Sequence, residues 1–272
     1  MSQFTQSQRQ AAKCLATTWE TGSPRGKSGH LVVLADGGGI TYGKLQTTEN
    51  SGGLYLMLTK YRELNGIFAE ALEPYREQLY RDKRSGEVGG TKNVLTKNKE
   101  FRALLQKAAA EDPLMSGFGQ AQDQFFEEWF FAPALDICTH FGLTLPLSLA
   151  AVFDFCIQSG PGDQYNDGRA RDRLQEWHNT YPGLEEEDAT SDPTLREKAW
   201  SIYMLEQRHA FLGSGSHAWS RYRTKSMLEM MANDQWALEA PFTFTFFKQE
   251  FLKYPDKEIT ITEIDLAATY VT

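Results

Sequence analysis

Apolar side chains recur at a helical period near the start of the chain. Phe4, Leu15 and Trp19 lie on one stripe, and a repeat of about 3.6 residues is typical of an amphipathic α-helix. A polar run with Gly and Pro at residues 21–24 ends this pattern. The pattern predicts a helix that ends near Glu20. At that end, the negative pole of the helix dipole favours the protonated form of a carboxyl group.

The following segment has the pattern of a β-hairpin. Residues 31–34 form an apolar run, the glycines at 37–39 supply a turn, and Ile40–Tyr42 provides the expected partner strand. Ser51 has the chemistry of a helix N-cap. Apolar residues at helical spacing then continue through 54–64 and predict a second helix.

The remaining chain is mostly helical in pattern until its last forty or so residues. Apolar and polar residues alternate at 242–246 and 258–264, which is typical of strands that pair as a hairpin, pack on the helical body or contact a partner chain. The polar, Gly- and Lys-rich run 83–97 is expected to be a loop. We predict a mainly α (α+β) fold with a domain at 1–232 and a strand-like extension at 233–272. Further helices are expected near 67–82, 99–111, 122–142, 146–159, 169–180, 193–212 and 216–232.

Composition narrows the function classes. The chain has 272 residues and a net charge of −8, with a pI near 5.3. This acidic balance argues against nucleic acid as a main partner and suits a cationic polymer better than an anionic one. Cys14, Cys138 and Cys156 lie in apolar surroundings without a CxxC motif, and we expect three buried thiols.

No membrane span or targeting signal is apparent. No segment approaches the roughly 18 apolar residues of a transmembrane helix, and residues 1–6 have neither the basic start nor the apolar run of a signal peptide. We therefore expect synthesis in the cytoplasm. Action on a cell wall or in the periplasm would then need delivery by phage lysis or by a secretion system, with an immunity or delivery protein as partner.

Two carboxylates on either side of the first predicted strand suggest glycosidase chemistry. Glu20 ends a helix, whereas Asp36 opens a glycine-rich turn. Two carboxyls in unlike environments are the usual means of cutting a glycosidic bond. A surface glutamate and an ordinary Asp-Gly turn are the alternative. The histidines show no metal-binding spacing and the glycines lack the Lys-Ser/Thr of a phosphate-binding loop, so we expect no metal and no cofactor.

The arrangement around these two acids resembles a known family. A helix ending in glutamate, an Asp-Gly-x-Gly-x-Thr-x-Gly hairpin at 36–43 and a following helix are similar to the chitosanases of glycoside hydrolase family 46. These belong to the lysozyme-like superfamily, and the turn at 39–43 also resembles the G-x-x-T-x-G turn of phage-type lysozymes. The resemblance covers about residues 4–232. It implies a lysozyme-like, two-lobed helical fold with a small β-hairpin beside the active-site cleft.

The resemblance implies a role for each residue of the hairpin region. Glu20 would be the general acid that protonates the leaving oxygen. Asp36 would be the base that activates a water molecule, and Thr41 would orient that water. Attack from the opposite face would invert the anomeric centre. Tyr42 would bind substrate or support these groups.

Two later segments resemble a supporting charge network of the family. Residues 153–160 are similar to a helix with a buried aspartate that ends at glycine, and 208–223 are similar to two late helices that carry arginines. The resemblance implies that Asp154, Arg208 and Arg221 form a network behind Glu20. Such a network sets the protonation state of an acid.

The chain departs from the chitosanase pattern at two positions. Gly38 stands where chitosanases usually have arginine, and Gly53 stands where they have an acidic residue that recognises the free amine of glucosamine. Glu49 is a candidate substitute for that acid. The loss of this carboxylate favours N-acetylated sugars, so we predict a muramidase-type hydrolase of the β-1,4 bonds of peptidoglycan. The alternatives are a chitosanase and a non-catalytic glycan-binding module on the same scaffold.

Overall fold

A computed structural model describes residues 3–33, 37–84, 93–111, 117–160, 169–182, 192–214 and 218–267. The chain divides into two compact units. Unit 1 comprises residues 1–19 and 129–268, and unit 2 comprises 20–128 together with 269–272. No helix in the described ranges is long and apolar enough to cross a bilayer.

The described elements are mainly helices with two small antiparallel sheets, so the predicted α+β class is confirmed. The strands are β1 (Leu31–Val33), β2 (Ile40–Tyr42), β3 (Thr47–Thr48), β4 (Phe242–Phe246) and β5 (Lys257–Ile261). The helices are α1 (Gln6–Thr21), α2 (Gly53–Glu63), α3 (Ala69–Arg84), α4 (Lys99–Glu111), α5 (Phe118–Phe126), α6 (Ala132–His140), α7 (Pro146–Ser159), α8 (Arg169–Asn179), α9 (Pro193–Gly213), α10 (Arg221–Ala232), α11 (Gln249–Leu252) and α12 (Glu263–Ala267).

The first sheet lies in unit 2 and confirms the predicted hairpin. Strand β2 is central and pairs antiparallel with both neighbours, with Thr41 opposite Val32 on β1 and opposite Thr48 on β3. Strand β3 is short and polar, so the sequence has no alternation of apolar residues from which it could be predicted. The N-cap of α2 is Gly52 rather than the predicted Ser51. The φ of Gly52 is 79°, a left-handed conformation that suits glycine. Ser51 Oγ instead accepts a hydrogen bond from the next helical amide.

The helix predicted over 122–142 is interrupted in the structure. Helix α5 gives way to a π-helix over Glu127–Phe131, and α6 follows. Pro133 stands in the first turn of α6. Proline has no amide hydrogen to continue an α-helical ladder, which explains why the hydrogen bonding changes just before it. Of the loop expected at 83–97, residues 83–84 still belong to α3, 85–92 lie outside the described residues, and 93–97 form consecutive turns.

The core of unit 1 is built around α7, which is buried from Pro146 to Cys156. Proline at its start has the backbone geometry of a first helical turn, and Gly160 ends it with a positive φ. Helices α6, α8 and α10 pack against it. Cys14, Cys138 and Cys156 are buried as predicted.

The strand-like residues near the end of the chain form a hairpin that packs on a helix of unit 1. Strands β4 and β5 pair with Phe244 opposite Ile259, and β4 contacts α10. Alternate residues of β4 are buried, and the Phe246 ring packs on Tyr222 at 4.9 Å between centroids. The hairpin is part of unit 1. A separate role for 233–272 stays a prediction.

Candidate active site

The carboxylate predicted to be the acid lies in the last turn of α1. Glu20 is half-buried, and the helix ends one residue later, as predicted. The turn before it is anchored in unit 1. The Trp19 carbonyl accepts a hydrogen bond from the Tyr222 hydroxyl at 3.1 Å, and the Trp19 ring packs edge-on against Phe244. Glu20 therefore follows a helical turn whose backbone and side chain are both held.

The second predicted carboxylate, Asp36, lies outside the described residues. The loop that follows it is described from Gly37 onwards. Gly37 and Gly39 both have a positive φ, a conformation that favours glycine. This explains why the turn into β2 is glycine-rich.

Thr41 occupies the middle of the central strand β2. Its side chain is 3% exposed, and its hydroxyl has no hydrogen-bond partner among the described residues. An unpaired buried hydroxyl is destabilising by about 1–3 kcal/mol, so such a group calls for a reason. A water molecule held by this hydroxyl would supply the missing partner, which fits the role that the family resemblance implies.

Tyr42 lies in the core of unit 2. It is fully buried, its hydroxyl donates to the Leu105 carbonyl at 2.7 Å, and its ring packs on Phe118. Burial, with a smaller effect of Tyr61, raises the pKa of Tyr42 above its usual value. Of the two predicted roles, this environment corresponds to support of the hairpin rather than to contact with substrate.

A buried charge cluster joins three helices of unit 1. Asp154 on α7 is fully buried and lies between Arg208 of α9 and Arg223 of α10. Arg208 Nη2 lies 2.8 Å from Asp154 Oδ2, and Arg223 Nη1 lies 3.0 Å from Oδ1. Breaking such a pair is strongly destabilising because it leaves a buried charge without its partner.

Arg208 is the more deeply buried of the two arginines that contact Asp154. Arg208 is 1% exposed, and its Nε and Nη1 have no hydrogen-bond partner among the described residues. Burial lowers the pKa of Arg208, although Asp154 opposes the change. The guanidinium also stacks over the Phe155 ring at 4.7 Å. The Asp154 carboxylate therefore offsets the cost of burying this guanidinium.

Arg221, which was predicted to belong to this cluster, lies elsewhere. Its Nε donates to His209 Nε2 at 3.1 Å, and its guanidinium lies over the Phe251 ring. The second arginine on Asp154 is Arg223. Helix periodicity carries a signal for this choice, because Arg223 shares a stripe with buried Met227 and Met230 at positions i, i+4 and i+7.

Glu49, a candidate for binding a substrate amine, is buried and hydrogen-bonded within the protein. Its side chain is 6% exposed. The carboxylate accepts hydrogen bonds from Leu95 N, Ile40 N and Thr96 Oγ1 at 2.8, 3.1 and 2.8 Å. Gly53 is the buried first residue of α2. Within the described ranges, no group of three or more His, Cys, Asp or Glu residues is arranged to hold a metal ion.

Comparison with solved structures shows the same fold. A chitosanase from Gynuella sunshinyii in complex with chitotetraose superimposes with a TM-score of 0.72 at 20% identity, over 95% of this chain and 98% of the other. A native chitosanase from Bacillus subtilis MY002 gives a TM-score of 0.65 at 21% identity, over 94% and 98% of the two chains. At these identities the likeness concerns the fold.

Sequence comparison gives a further relative and a family. A chitosanase of Bacillus subtilis (strain 168) is 28% identical over 156 residues, which is 57% of this chain and 52% of the relative. The chain thus aligns with about half the length of that relative. The model of glycosyl hydrolase family 46 matches residues 17–242, a range that contains Glu20, Asp36, Thr41, Asp154 and both arginines of the cluster. The chain belongs to glycosyl hydrolase family 46.

Proposed function

We propose that this protein is a chitosanase-type glycoside hydrolase that cuts β-1,4 bonds between glucosamine units. The observation that carries the proposal is the family match over residues 17–242, which includes every predicted catalytic position. The relatives reported above are chitosanases. The net charge of −8 also suits chitosan, since protonated glucosamine makes that polymer cationic.

The proposed chemistry uses two acids and one hydroxyl. Glu20 protonates the oxygen of the leaving sugar, and Asp36 removes a proton from the attacking water. Thr41 orients this water with its hydroxyl. Because water attacks the face opposite the leaving group, the product has inverted configuration. The unpaired buried hydroxyl of Thr41 supports its part in this mechanism.

The buried cluster of unit 1 has a supporting role in this proposal. Tyr222, which holds the Trp19 carbonyl, precedes Arg223 on α10. The cluster therefore stabilises the same helix that anchors the turn before Glu20.

Peptidoglycan is the second candidate substrate, because this chain lacks a carboxylate at the position where chitosanases bind the amine of glucosamine. Gly53 offers no carboxylate there, and the Glu49 carboxylate already accepts three protein hydrogen bonds. A site without an anion for the glucosamine amine has less reason to prefer glucosamine over N-acetylated sugars. Cleavage after N-acetylmuramic acid would then be the reaction.

Product analysis distinguishes these functions. The protein and its Glu20→Gln variant, purified in parallel, would each be incubated with chitosan and with peptidoglycan sacculi, and the products read by mass spectrometry. We expect glucosamine oligomers from the wild type alone, released as α-anomers in early proton NMR spectra. Muropeptides ending in reducing N-acetylmuramic acid would instead establish the second candidate. No product from either polymer would overturn both and favour a glycan-binding module.

A further inference from the structure

The carboxylate of Glu49 connects the hairpin of unit 2 to the turn at 93–98 by hydrogen bonds. Oε2 accepts from the Ile40 amide at 3.1 Å and from Thr96 Oγ1 at 2.8 Å, while Oε1 accepts from the Leu95 amide at 2.8 Å. All three donors are uncharged. Hydrogen bonds to an ionised carboxylate are stronger than those between neutral groups, so these three contacts are strong constraints on the hairpin.

Ile40 is held by Glu49 at two points. The Glu49 amide donates to the Ile40 carbonyl at 2.8 Å, while the Glu49 side chain accepts from the Ile40 amide. Gly39, the preceding residue, has a φ of +75°, and a Cβ built there would lie 2.8 Å from Glu49 Oε2. The carboxylate thus needs a glycine at 39 in order to approach the strand. Thr41 follows immediately on this clamped backbone.

Asn50 continues the same attachment towards Asp36 in the chain. Its amide donates to the Gly38 carbonyl at 3.1 Å, and its Nδ2 donates to the Gly37 carbonyl at 2.5 Å. Asn50 Nδ2 also donates to Asn93 Oδ1 at 2.9 Å, and the Asn93 amide donates back to Asn50 Oδ1 at 3.1 Å. Two consecutive residues therefore bind the backbone of residues 37, 38 and 40.

We infer that Glu49 is a positioning residue for hydrolysis: its carboxylate fixes the 37–41 backbone, which connects Asp36 to the Thr41 hydroxyl. The inference rests on the proposed function for its kinetic consequence. Glu49 touches neither substrate nor reacting atoms in this role. It acts through Ile40, because the orientation of Thr41 depends on the strand that Glu49 clamps. A displacement of about 1 Å in a catalytic group is enough to lower a rate about 100-fold.

Glu49→Gln is the informative substitution because it preserves size and removes acceptor capacity. A carboxamide has a single oxygen, and its NH₂ group would face a backbone amide or the Thr96 hydroxyl. Thr96→Val is a milder second variant that removes one donor and leaves both backbone contacts. It keeps the test informative if Glu49→Gln does not fold.

Unit 1 contains a matched control. Glu197 is 7% exposed, and its carboxylate accepts from the Thr144 amide, Thr144 Oγ1 and the Leu145 amide at 2.8, 2.7 and 2.7 Å. It therefore has the same burial and the same donor set as Glu49, two backbone amides and a threonine hydroxyl. Glu197→Gln should lose comparable stability without any effect on the hairpin.

The experiment has a kinetic arm and a structural arm. With soluble chitosan oligomers, we expect Glu49→Gln to lower kcat about 100-fold with KM nearly unchanged, and Glu197→Gln to leave kcat unchanged below its unfolding temperature. By hydrogen–deuterium exchange, peptides that cover 37–42 should exchange faster in Glu49→Gln and at the wild-type rate in Glu197→Gln. Thr96→Val should show both effects in smaller measure.

The two arms separate the failure of this inference from that of the proposed function. Wild-type exchange at 37–42 in Glu49→Gln, or a kcat loss equal to that of Glu197→Gln, would overturn the positioning role. A wild-type protein that hydrolyses neither chitosan nor peptidoglycan would overturn the proposed function. In that case the exchange arm still decides whether Glu49 holds the hairpin.

Discussion

Arg223 of α10 places its guanidinium 3.0 Å from Asp154 Oδ1, with both side chains buried. The residue before it, Tyr222, binds the Trp19 carbonyl. Helix α10 therefore contributes successive residues to two tasks, the neutralisation of a buried carboxylate and the anchoring of the α1 turn that precedes Glu20. A substitution at Asp154 is therefore expected to disturb both the buried charge cluster and the anchoring of the α1 turn.

Replacement of Asp154 by asparagine should strongly destabilise unit 1. The substitution removes the carboxylate that Arg208 and Arg223 both contact, and the loss of one partner from a buried pair lowers the free energy of unfolding by about 3–5 kcal/mol. Urea denaturation followed by circular dichroism measures this. Asp136→Asn, at an exposed position of α6, is the control and should change little. Equal stability of the two variants would contradict the description of the cluster.

Arg221 should affect His209 rather than Asp154. Burial, and then the nearby Arg221 charge, lower the pKa of His209 from its usual 6.5. The folded state therefore favours the neutral ring, and the stability that this ring contributes is lost as the pH falls from 6.5 through the lowered pKa. Arg221→Gln should raise the pKa of His209, and stability should then fall less steeply with acid. NMR titration of the His209 ring protons measures the shift. Arg173→Gln is the control, and an equal shift there would contradict the assignment.

The activity that is lost when the Glu20 carboxyl is removed should depend on the leaving group of the substrate. General acid catalysis contributes about 10²–10⁴-fold, so Glu20→Gln should lose activity on the polymer by this order. On a nitrophenyl oligosaccharide the loss should be much smaller, since nitrophenolate leaves without protonation. Initial rates on both substrates test this. Glu77→Gln, exposed on α3, should retain both activities, and equal losses on both substrates would argue against an acid role for Glu20.

The Thr41 hydroxyl should matter for activity and not for stability. It is buried and has no partner among the described residues, so Thr41→Val removes no protein hydrogen bond and should leave the unfolding temperature unchanged or raise it. If the hydroxyl holds the attacking water, kcat should fall at least tenfold, by analogy with removal of one general acid–base contact. Thermal unfolding and initial rates measure the two effects.

Thr47 is the control for this prediction. It lies on β3 opposite Tyr42, and its hydroxyl is likewise buried without a partner in the described ranges. Thr47→Val should therefore preserve both stability and kcat. A parallel loss of activity in the two valine variants would show that the sheet, and not the Thr41 hydroxyl, is responsible.

The sequence alone was sufficient for the elements with a strong local pattern. The helix that ends beside Glu20, the β1–β2 hairpin and the long buried helix α7 all appear where periodicity and turn residues predict them. These features depend on neighbours within a few residues, through helical spacing, glycine in left-handed turns and proline at a helix start. The family resemblance rests on the same local motif.

Tertiary structure alone decided which groups meet. Arg221 and Arg223 are two residues apart and chemically alike, but only the rotation of α10 against α7 and α9 brings Arg223 to Asp154. Glu49 appears in the sequence as an acid available to substrate, whereas folding brings Leu95 and Thr96 to its carboxylate. Such pairings join residues far apart in the chain. Helical periodicity can indicate that Arg223 lies on the buried face of α10, but it does not indicate which residue that face meets. The sequence therefore determined the elements and the candidate chemistry, while the packing of those elements determined which charges are buried together.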